Sequence, residues 1–370
     1  MNRCRSLSFL FVATTTALCC CCILNSASLA SAAAFAPGDS VYRKKISSSS
    51  SSSSSSTTTL PLSLTRNSSK SNSNSNNNSI SALKMSSNAA AANLAPGATD
   101  LFQQTPLIKS APLSKLVGKD VYLKLDALQA SGSFKDRGMA HLCATFHEKN
   151  VKELISSSGG NAGLAVATVG SKLGMTVKVI VPETTKAMVV EKLQSLGAHV
   201  TIHGVNWNAA DTLARTQVED ENGRAEYVSP YDSPLLWTGH SSIVDEVVEQ
   251  LPTTGSSSKI GAMIVSVGGG GLLCGVLEGC ERQSLQCKVI ASETEGASSF
   301  GQAWKAGKVV TLPGIDSIAT SLGATSVTPV ALERAKNHKG KFDSAICTDA
   351  EAVDACVQFA QDHRILVEPA

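Results

Sequence analysis

Lys135 lies in the octapeptide Ser131-Gly132-Ser133-Phe134-Lys135-Asp136-Arg137-Gly138, where an amine follows an aromatic ring at the mouth of a helical pattern. A neutral primary amine adds to carbonyl carbons, forms imines and takes up protons. Well downstream, the run Ser266-Val267-Gly268-Gly269-Gly270-Gly271-Leu272-Leu273 reads as a strand, four glycines and a helix start. Consecutive glycines let successive backbone N–H groups converge on an anion, with the positive end of the following helix behind them. The run is no nucleotide loop: no Gly-Lys-Ser/Thr follows, and Leu272-Leu273 breaks the G-x-G-x-x-G spacing. A third segment, Ser156-Ser157-Ser158-Gly159-Gly160-Asn161-Ala162-Gly163, offers a second anion nest at a helix start.

Taken singly, each segment has a plain structural reading. Lys135 would mark an ordinary strand-to-helix connection, the glycines a loop without ligand, and Ser158–Asn161 an N-capped helix start. Four glycines between buried elements cost chain entropy, however, and favour a bound phosphate. An amine that can form an imine, together with a backbone phosphate cradle, is what a protein needs to hold pyridoxal phosphate. On that reading Lys135 bonds the cofactor and later serves as base at the substrate α-carbon, its neutral form favoured by desolvation. Phe134 lies against the pyridine ring. The guest of the Ser158 nest is a substrate carboxylate, and Asn161 reaches the cofactor's phenolic oxygen.

The elements that must position these groups are legible as alternation. Val121–Leu125, Leu154–Ser157, Val177–Val181, His199–His203, Ile260–Val267, Lys288–Ser292 and Ala345–Thr348 read as strands. Asp136–Glu148, Asn161–Leu173, Thr185–Leu196, Asn208–Glu221, Pro234–Gln250, Gly271–Arg282 and Asp349–Asp362 read as helices. Continuous apolar strands separated by helices indicate a parallel, doubly wound α/β architecture, whose ligands sit at the carboxyl ends of strands. Both glycine-rich segments fall at such strand-to-helix turns.

Bulk composition narrows the function classes. The chain has 370 residues, 42% hydrophobic and 17% charged, enough for a sizeable core. Its net charge of +2 is unevenly placed: residues 1–100 carry eight basic and two acidic residues, leaving 24 basic and 28 acidic residues, a net of −4, for 101–370. A mildly acidic folded part argues against nucleic-acid binding. Five of the eleven cysteines fall in the first 22 residues, and Cys143, Cys274, Cys280, Cys287, Cys347 and Cys356 show no C-x-x-C spacing. The seven histidines form no metal-binding pair, which argues against a transition metal.

The first hundred residues read as an address. Arg3 and Arg5 precede an apolar run from Leu7 to Leu24, and Ala30-Ser31-Ala32-Ala33-Ala34 supplies a small-residue cleavage site, so 1–34 is expected to be a signal peptide. A buried or anchoring helix is the alternative. Residues 35–98 are rich in Ser and Asn, basic and nearly free of acids, the composition of a disordered transit segment. The order signal, Phe35-Ala36-Pro37, transit segment resembles the bipartite presequence of algae with secondary plastids, which implies a plastid location. Secretion, or a shorter cytosolic form starting at Met85, are the alternatives.

Together these segments resemble the pyridoxal-phosphate fold-type II (tryptophan synthase β-like) enzymes, most closely the L-serine/L-threonine dehydratases of the eukaryotic serine dehydratase type. The likeness runs from Thr105-Pro106-Leu107 through Asp232-Ser233-Pro234-Leu235-Leu236-Trp237-Thr238-Gly239-His240 to Leu366-Val367-Glu368-Pro369-Ala370. It implies a lyase domain over 99–370 built of two doubly wound parallel-sheet lobes. The small lobe, about 135–235, would be inserted in a large lobe of 99–134 plus 236–370. It implies β-elimination of L-serine to pyruvate and ammonia, with L-threonine to 2-oxobutanoate as a side activity, in a homodimer that binds neither nucleic acid nor, once its signal is removed, a membrane. Matching positions make Lys135 the Schiff-base lysine, Phe134 the stacking ring, and Gly268, Gly269, Gly270, Gly271 and Leu272 the phosphate loop. Ser158, Gly159, Gly160, Asn161 and Ala162 would hold the substrate carboxylate. Gly268, Glu293, Ala297, Leu322 and Ala324 match positions where the family places a monovalent cation, usually potassium.

Two positions depart from that pattern. Gly159 stands where the main mammalian enzymes have alanine, which implies extra space beside the substrate side chain. Asp136 gives Phe-Lys-Asp-Arg-Gly, more like threonine synthase. The family also continues past Glu368-Pro369-Ala370 into a Gly-rich turn bearing the residue that faces the pyridine nitrogen, so the sequence is expected to be C-terminally truncated and the large lobe incomplete. A threonine synthase, a cysteine synthase-like enzyme and an inactive pyridoxal-phosphate-binding protein remain the rival readings.

Overall fold

The computed structural model describes residues 8–11, 91–221, 223–251 and 260–370. Of the expected transit segment 35–98, residues 35–90, Met85 among them, lie outside the described residues, as does all of the expected signal peptide except Ser8–Phe11. Residues 91–98 are ordered, against the expected disorder: Leu94 and Ala95 pack on the main core and Ala98 is fully buried. Ser8–Phe11 forms the first strand, β1.

Two sheets organise the chain. The larger contains β1, β2 (Leu107–Lys109), β3 (Val121–Lys124), β8 (Ile260–Ser266), β9 (Lys288–Thr294) and β10 (Phe342–Cys347), in the order β10-β9-β8-β1-β3-β2. Its pairings are parallel except β2 with β3, where Leu107 faces Lys124 in antiparallel register. The smaller sheet uses β4 (Glu153–Ser156), β5 (Thr176–Val181), β6 (His199–Ile202) and β7 (Ala225–Tyr227), all parallel, in the order β6-β5-β4-β7. Its four strands are consecutive in the chain and fall between β3 and β8. This is the doubly wound α/β layout that alternating apolar strands and helices imply.

The helices are α1 (Ala111–Val117), α2 (Lys135–Glu148), α3 (Asn161–Lys172), α4 (Ala187–Ser195), α5 (Trp207–Asp220) and α6 (Pro234–Gln250), then α7 (Gly271–Arg282), α8 (Ser299–Ala306), α9 (Pro329–Asn337) and α10 (Asp349–His363). Their ends follow local chemistry. The Ser110 side chain caps α1 and Gly118 closes it in a left-handed conformation, while Thr348 and Glu351 form a reciprocal capping box on α10. That capping role takes Thr348 out of the strand expected over Ala345–Thr348. Thr185 is lost from α4 because its N–H closes a turn onto the Pro182 carbonyl.

Helices cover both faces of the smaller sheet. Leu154, Val177, Val179 and Val181 join the main core with α3 and α6, while Ile155 and Ile180 face Ala210 and Ala214 of α5. In the main core α6 packs against both α2 and α7, which sets the helix carrying Lys135 beside the helix that follows the four glycines. Among the described residues no helix is long and apolar enough to cross a membrane.

Candidate active site

Lys135 is the first residue of α2. The residue as a whole is half-buried, but the amine at its tip is surrounded by protein, and the tip is what titrates. Nζ donates to the Pro230 carbonyl at 2.6 Å and lies 5.1 Å from the centre of the Phe134 ring. Burial disfavours the ammonium form and lowers the pKa to about 8. The Phe134 ring meets the His240 imidazole edge-on, with centroids 5.0 Å apart. His240 is fully buried, and burial first, then the Lys135 and Arg137 charges, push its pKa well below the ordinary value. Its ring is therefore neutral, and neither nitrogen has a hydrogen-bond partner among the described residues.

The helix start is held from behind. Arg137, two residues on and fully buried, donates to both Asp126 oxygens at 2.6 and 2.8 Å and to both Glu246 oxygens at 2.5 and 2.9 Å. Burial opposes its charge, but the two carboxylates outweigh burial and raise its pKa. Lys124 adds a second cation on Glu246 and donates to the Thr105 carbonyl at 2.5 Å. Asp136 accepts from the Ser131 N–H at 3.0 Å and so closes the loop that precedes Lys135.

A cleft, of which about 50 Å³ is open to a water-sized occupant, brings the separate segments together. Phe134, Lys135, Asn161, Gly268, Gly269, Gly270, Gly271 and Leu272 all line it. Of the expected site residues, Ser158, Gly159, Gly160 and Ala162 do not; the first three form the β4–α3 turn, and Ala162 follows Asn161 in the first turn of α3. Ser157 anchors that turn by donating to Asp211 at 2.6 Å, an acceptor shared with the Tyr227 hydroxyl at 2.5 Å. A methyl group at Gly159 would lie 3.2 Å from Val181 and 3.5 Å from Thr185. The room that its absence leaves thus opens toward those two side chains.

The glycine run follows from close approach. A Cβ on Gly269 would stand 2.2 Å from the Tyr231 ring, so the ring lies directly on the backbone there. Gly270 has a φ of 91°, a conformation side chains resist, and its Cβ would meet Val327 and Ala331 at 2.7 Å. Gly270 and Gly160 are the N-caps of α7 and α3, and neither helix start has a side-chain cap. The first amides of both helices are therefore free of side-chain caps and can receive an anion. A partly neutral amine, an adjacent aromatic ring and uncapped helix amides on one cavity are a donor set that fits a phosphorylated aldehyde.

Three lining residues carry no sequence signal of the same strength. Tyr231 sits between Pro230 and Asp232 in a loop without any motif. Glu368 accepts from the Asn161 side-chain amide, both oxygens at 3.2 Å, and from the Ser321 hydroxyl. In the sequence Glu368 is marked only as part of the Leu366–Ala370 segment, and Ser321 by nothing.

The five positions matched to a cation site distribute as follows. Gly268 packs against the Leu322 backbone, and Leu322 shares a small apolar cluster with Ala297. The Leu322 carbonyl accepts from the Ala324 N–H at 2.6 Å. The Glu293 carboxylate is fully buried and accepts from the Phe300 and Gly301 N–H groups at 2.8 and 2.6 Å. Burial raises its pKa to about 8 against the pull of those two amides.

Known proteins are similar to this chain over the residues that carry the site. The sequence pattern of the family described as pyridoxal-phosphate dependent enzymes matches residues 98–370. The L-serine dehydratase/L-threonine deaminase of Bos taurus is 44% identical over 271 residues, which cover 73% of this chain and 80% of the bovine protein. Among solved structures, a fungal L-serine ammonia-lyase from Rhizomucor miehei superposes with a TM-score of 0.65 at 34% identity, covering 73% of this chain and 84% of that one. The processed form of threonine deaminase isoform 2 from Solanum lycopersicum gives 0.67 at 26% identity, covering 74% and 73%.

Proposed function

The chain belongs to the family of pyridoxal-phosphate dependent enzymes, and from that premise we infer that it is an ammonia-lyase converting L-serine to pyruvate and ammonia, with L-threonine as a second substrate. The observation that carries the reading is the shared cleft: Lys135 and Gly268–Gly271 line one and the same space. Pyridoxal phosphate, when bound, supplies an aldehyde for amines to add to and a ring that draws electrons from the substrate α-carbon.

The chain's own residues do the rest. The N–H groups at the start of α7 hold the phosphate. Phe134, pressed from one edge by His240, keeps its ring in a fixed plane beside Lys135. A pKa of about 8 leaves Lys135 able to accept a proton from the substrate α-carbon near neutral pH and to return it. The Ser158–Ala162 turn and the uncapped start of α3 receive the substrate carboxylate. Asn161 orients the cofactor's phenolic oxygen once its amide turns from Glu368. A potassium-like cation beside Glu293, with carbonyl oxygens of Gly268, Ala297, Leu322 and Ala324, would neutralise a buried carboxylate that no basic side chain pairs with among the described residues. The protein works as a homodimer, as the resemblance to dehydratases implies, and its leader directs it to a plastid.

The test is pyruvate formation from L-serine by the cofactor-loaded protein. Lys135→Ala is expected to abolish it while leaving the thermal unfolding transition in place. Sustained serine consumption by that variant would overturn the assignment.

A further inference from the structure

One carboxylate outside the cleft reaches the turn that receives the substrate. Asp211 lies in the second turn of α5, the helix that covers the smaller sheet on its Ile155 and Ile180 side. Its Oδ1 accepts from the Ser157 hydroxyl at 2.6 Å and from the Tyr227 hydroxyl at 2.5 Å, and the two hydroxyls are 3.2 Å apart. Its Oδ2 accepts from Arg215 Nε at 2.8 Å, and the Arg215 guanidinium lies 4.0 Å from the centre of the Tyr227 ring. Burial opposes the Asp211 charge, yet the hydrogen bonds from Ser157, Tyr227 and Arg215 outweigh it and lower the pKa. One oxygen thus ties together the ends of two paired strands, β4 and β7.

Ser157 is fully buried and directly follows β4. Its hydroxyl is the last side-chain anchor before Ser158, Gly159 and Gly160. The far side of that turn is held by contact: a Cβ on Gly163 would stand 1.7 Å from the Ser158 carbonyl oxygen, so the turn presses onto the start of α3. Two successive glycines have many accessible backbone conformations. Few of those aim neighbouring amides at one anion, so the anchor matters.

We propose that Asp211 is a positioning residue for the substrate: by holding Ser157 it fixes the Ser158–Asn161 backbone in the conformation that receives the substrate carboxylate. This role rests on the lyase reading, and Asp211 does not itself line the cleft. Position and charge pull in opposite directions here. A fixed carboxylate this close repels an incoming one, so as a charge alone Asp211 would weaken substrate binding, and its removal would strengthen it. As an anchor, its removal loosens the turn and weakens binding. Bound serine still meets the same Lys135, so the loss falls on KM and spares kcat.

The test is pyruvate formation from L-serine by the cofactor-loaded parent, Asp211→Ala, Asp211→Asn and Ser157→Ala. Asp211→Ala should raise KM about tenfold, the size of one lost hydrogen bond to a charged group, with kcat within about twofold. Asparagine keeps an oxygen for both hydroxyls, so Asp211→Asn should restore most of the parent KM. Ser157→Ala cuts the same tie from its other end and should raise KM alike, and the double alanine variant no further. That second route stands even where Asp211→Ala fails to fold. Thermal stabilisation of the loaded proteins by L-alanine, which carries the carboxylate but no leaving group, reports binding without turnover and should shrink in both alanine variants. An unchanged or lowered KM in Asp211→Ala and Ser157→Ala, or a fall in kcat at unchanged KM, would overturn the proposal. A parent that makes no pyruvate but is stabilised by L-alanine would refute the lyase reading alone, and the L-alanine shift in the variants then decides the role of Asp211. A parent that makes no pyruvate and gains nothing from L-alanine would refute both.

Discussion

Replacing Lys135 with methionine should make the cofactor-free protein more stable at pH 7, although it removes the residue on which activity depends. Burial lowers the Lys135 pKa from 10.5 to about 8. A difference of about 2.5 units, at about 1.36 kcal/mol each, means the fold disfavours the ammonium by roughly 3.4 kcal/mol. Methionine keeps the length and apolar stem without the charge, but it forfeits the hydrogen bond to the Pro230 carbonyl, worth about 1 kcal/mol. The net gain at pH 7 is therefore about 2 kcal/mol. Its pH dependence identifies the cause. Below about 8 the lysine is charged in both folded and unfolded chains, so the penalty is complete and constant. Between about 8 and 10.5 only the unfolded chain holds the proton, the penalty fades, and the parent protein catches up. Urea unfolding of parent and variant at intervals from pH 7 to pH 11 measures the gap directly. A gap that stays constant across that range, or a parent more stable at pH 7, would refute a desolvated amine.

Three further outcomes follow from the same contacts. Gly270→Ala forces a side chain into φ of 91° and a Cβ to 2.7 Å from Ala331 and Val327, at a cost of about 2–4 kcal/mol from strain and overpacking. The variant should also lose the thermal stabilisation that inorganic phosphate gives the parent, read by calorimetry. Arg137→Met strands the Asp126 and Glu246 carboxylates, and unfolding in denaturant should show a loss of about 3–5 kcal/mol; a loss under 1 kcal/mol would show the network to be poorly coupled. With a cation at Glu293, exchanging tetramethylammonium for potassium at equal ionic strength should stabilise the protein by about 1–3 kcal/mol through mass action, and Glu293→Gln should erase the difference.

What was legible in the sequence was what is encoded within a few residues. The glycine run, the Lys135 octapeptide and the strand-helix alternation are local signals, and the elements they imply form within one to three residues of the expected ends. Short elements escaped: β2 and β7 have three residues each, too few for a periodic pattern, and α8 and α9 lie in a stretch broken by Gly and Pro. The residues that complete the cavity escaped for another reason. Tyr231 is defined by the backbone of Gly269, and Glu368 by Asn161 at a separation of 207 residues. No window along the chain contains both members of either pair.

The same distance effect explains how one helix start holds two basic residues in opposite states. Lys135 and Arg137 are two positions apart on α2, about 200° around the helix, and so face different surroundings. The Arg137 side meets Asp126 from the chain before α2 and Glu246 from α6, two carboxylates that keep a buried guanidinium charged. The Lys135 side meets a carbonyl, an aromatic face and bare backbone, with no carboxylate paired to it among the described residues, so its charge is disfavoured. Were Asp126 or Glu246 able to reach Lys135, its amine would be locked as an ammonium and useless as a nucleophile or base. Arg137, by occupying four carboxylate oxygens, keeps those anions on the far side of the helix. The buried ion cluster thus protects the reactivity of the amine as well as anchoring the helix. Arg137→Met should therefore raise the Lys135 pKa if either carboxylate swings across, an effect readable as slower modification of Lys135 by amine-selective reagents at pH 8. Modification at an unchanged rate would confine the cluster to a structural role.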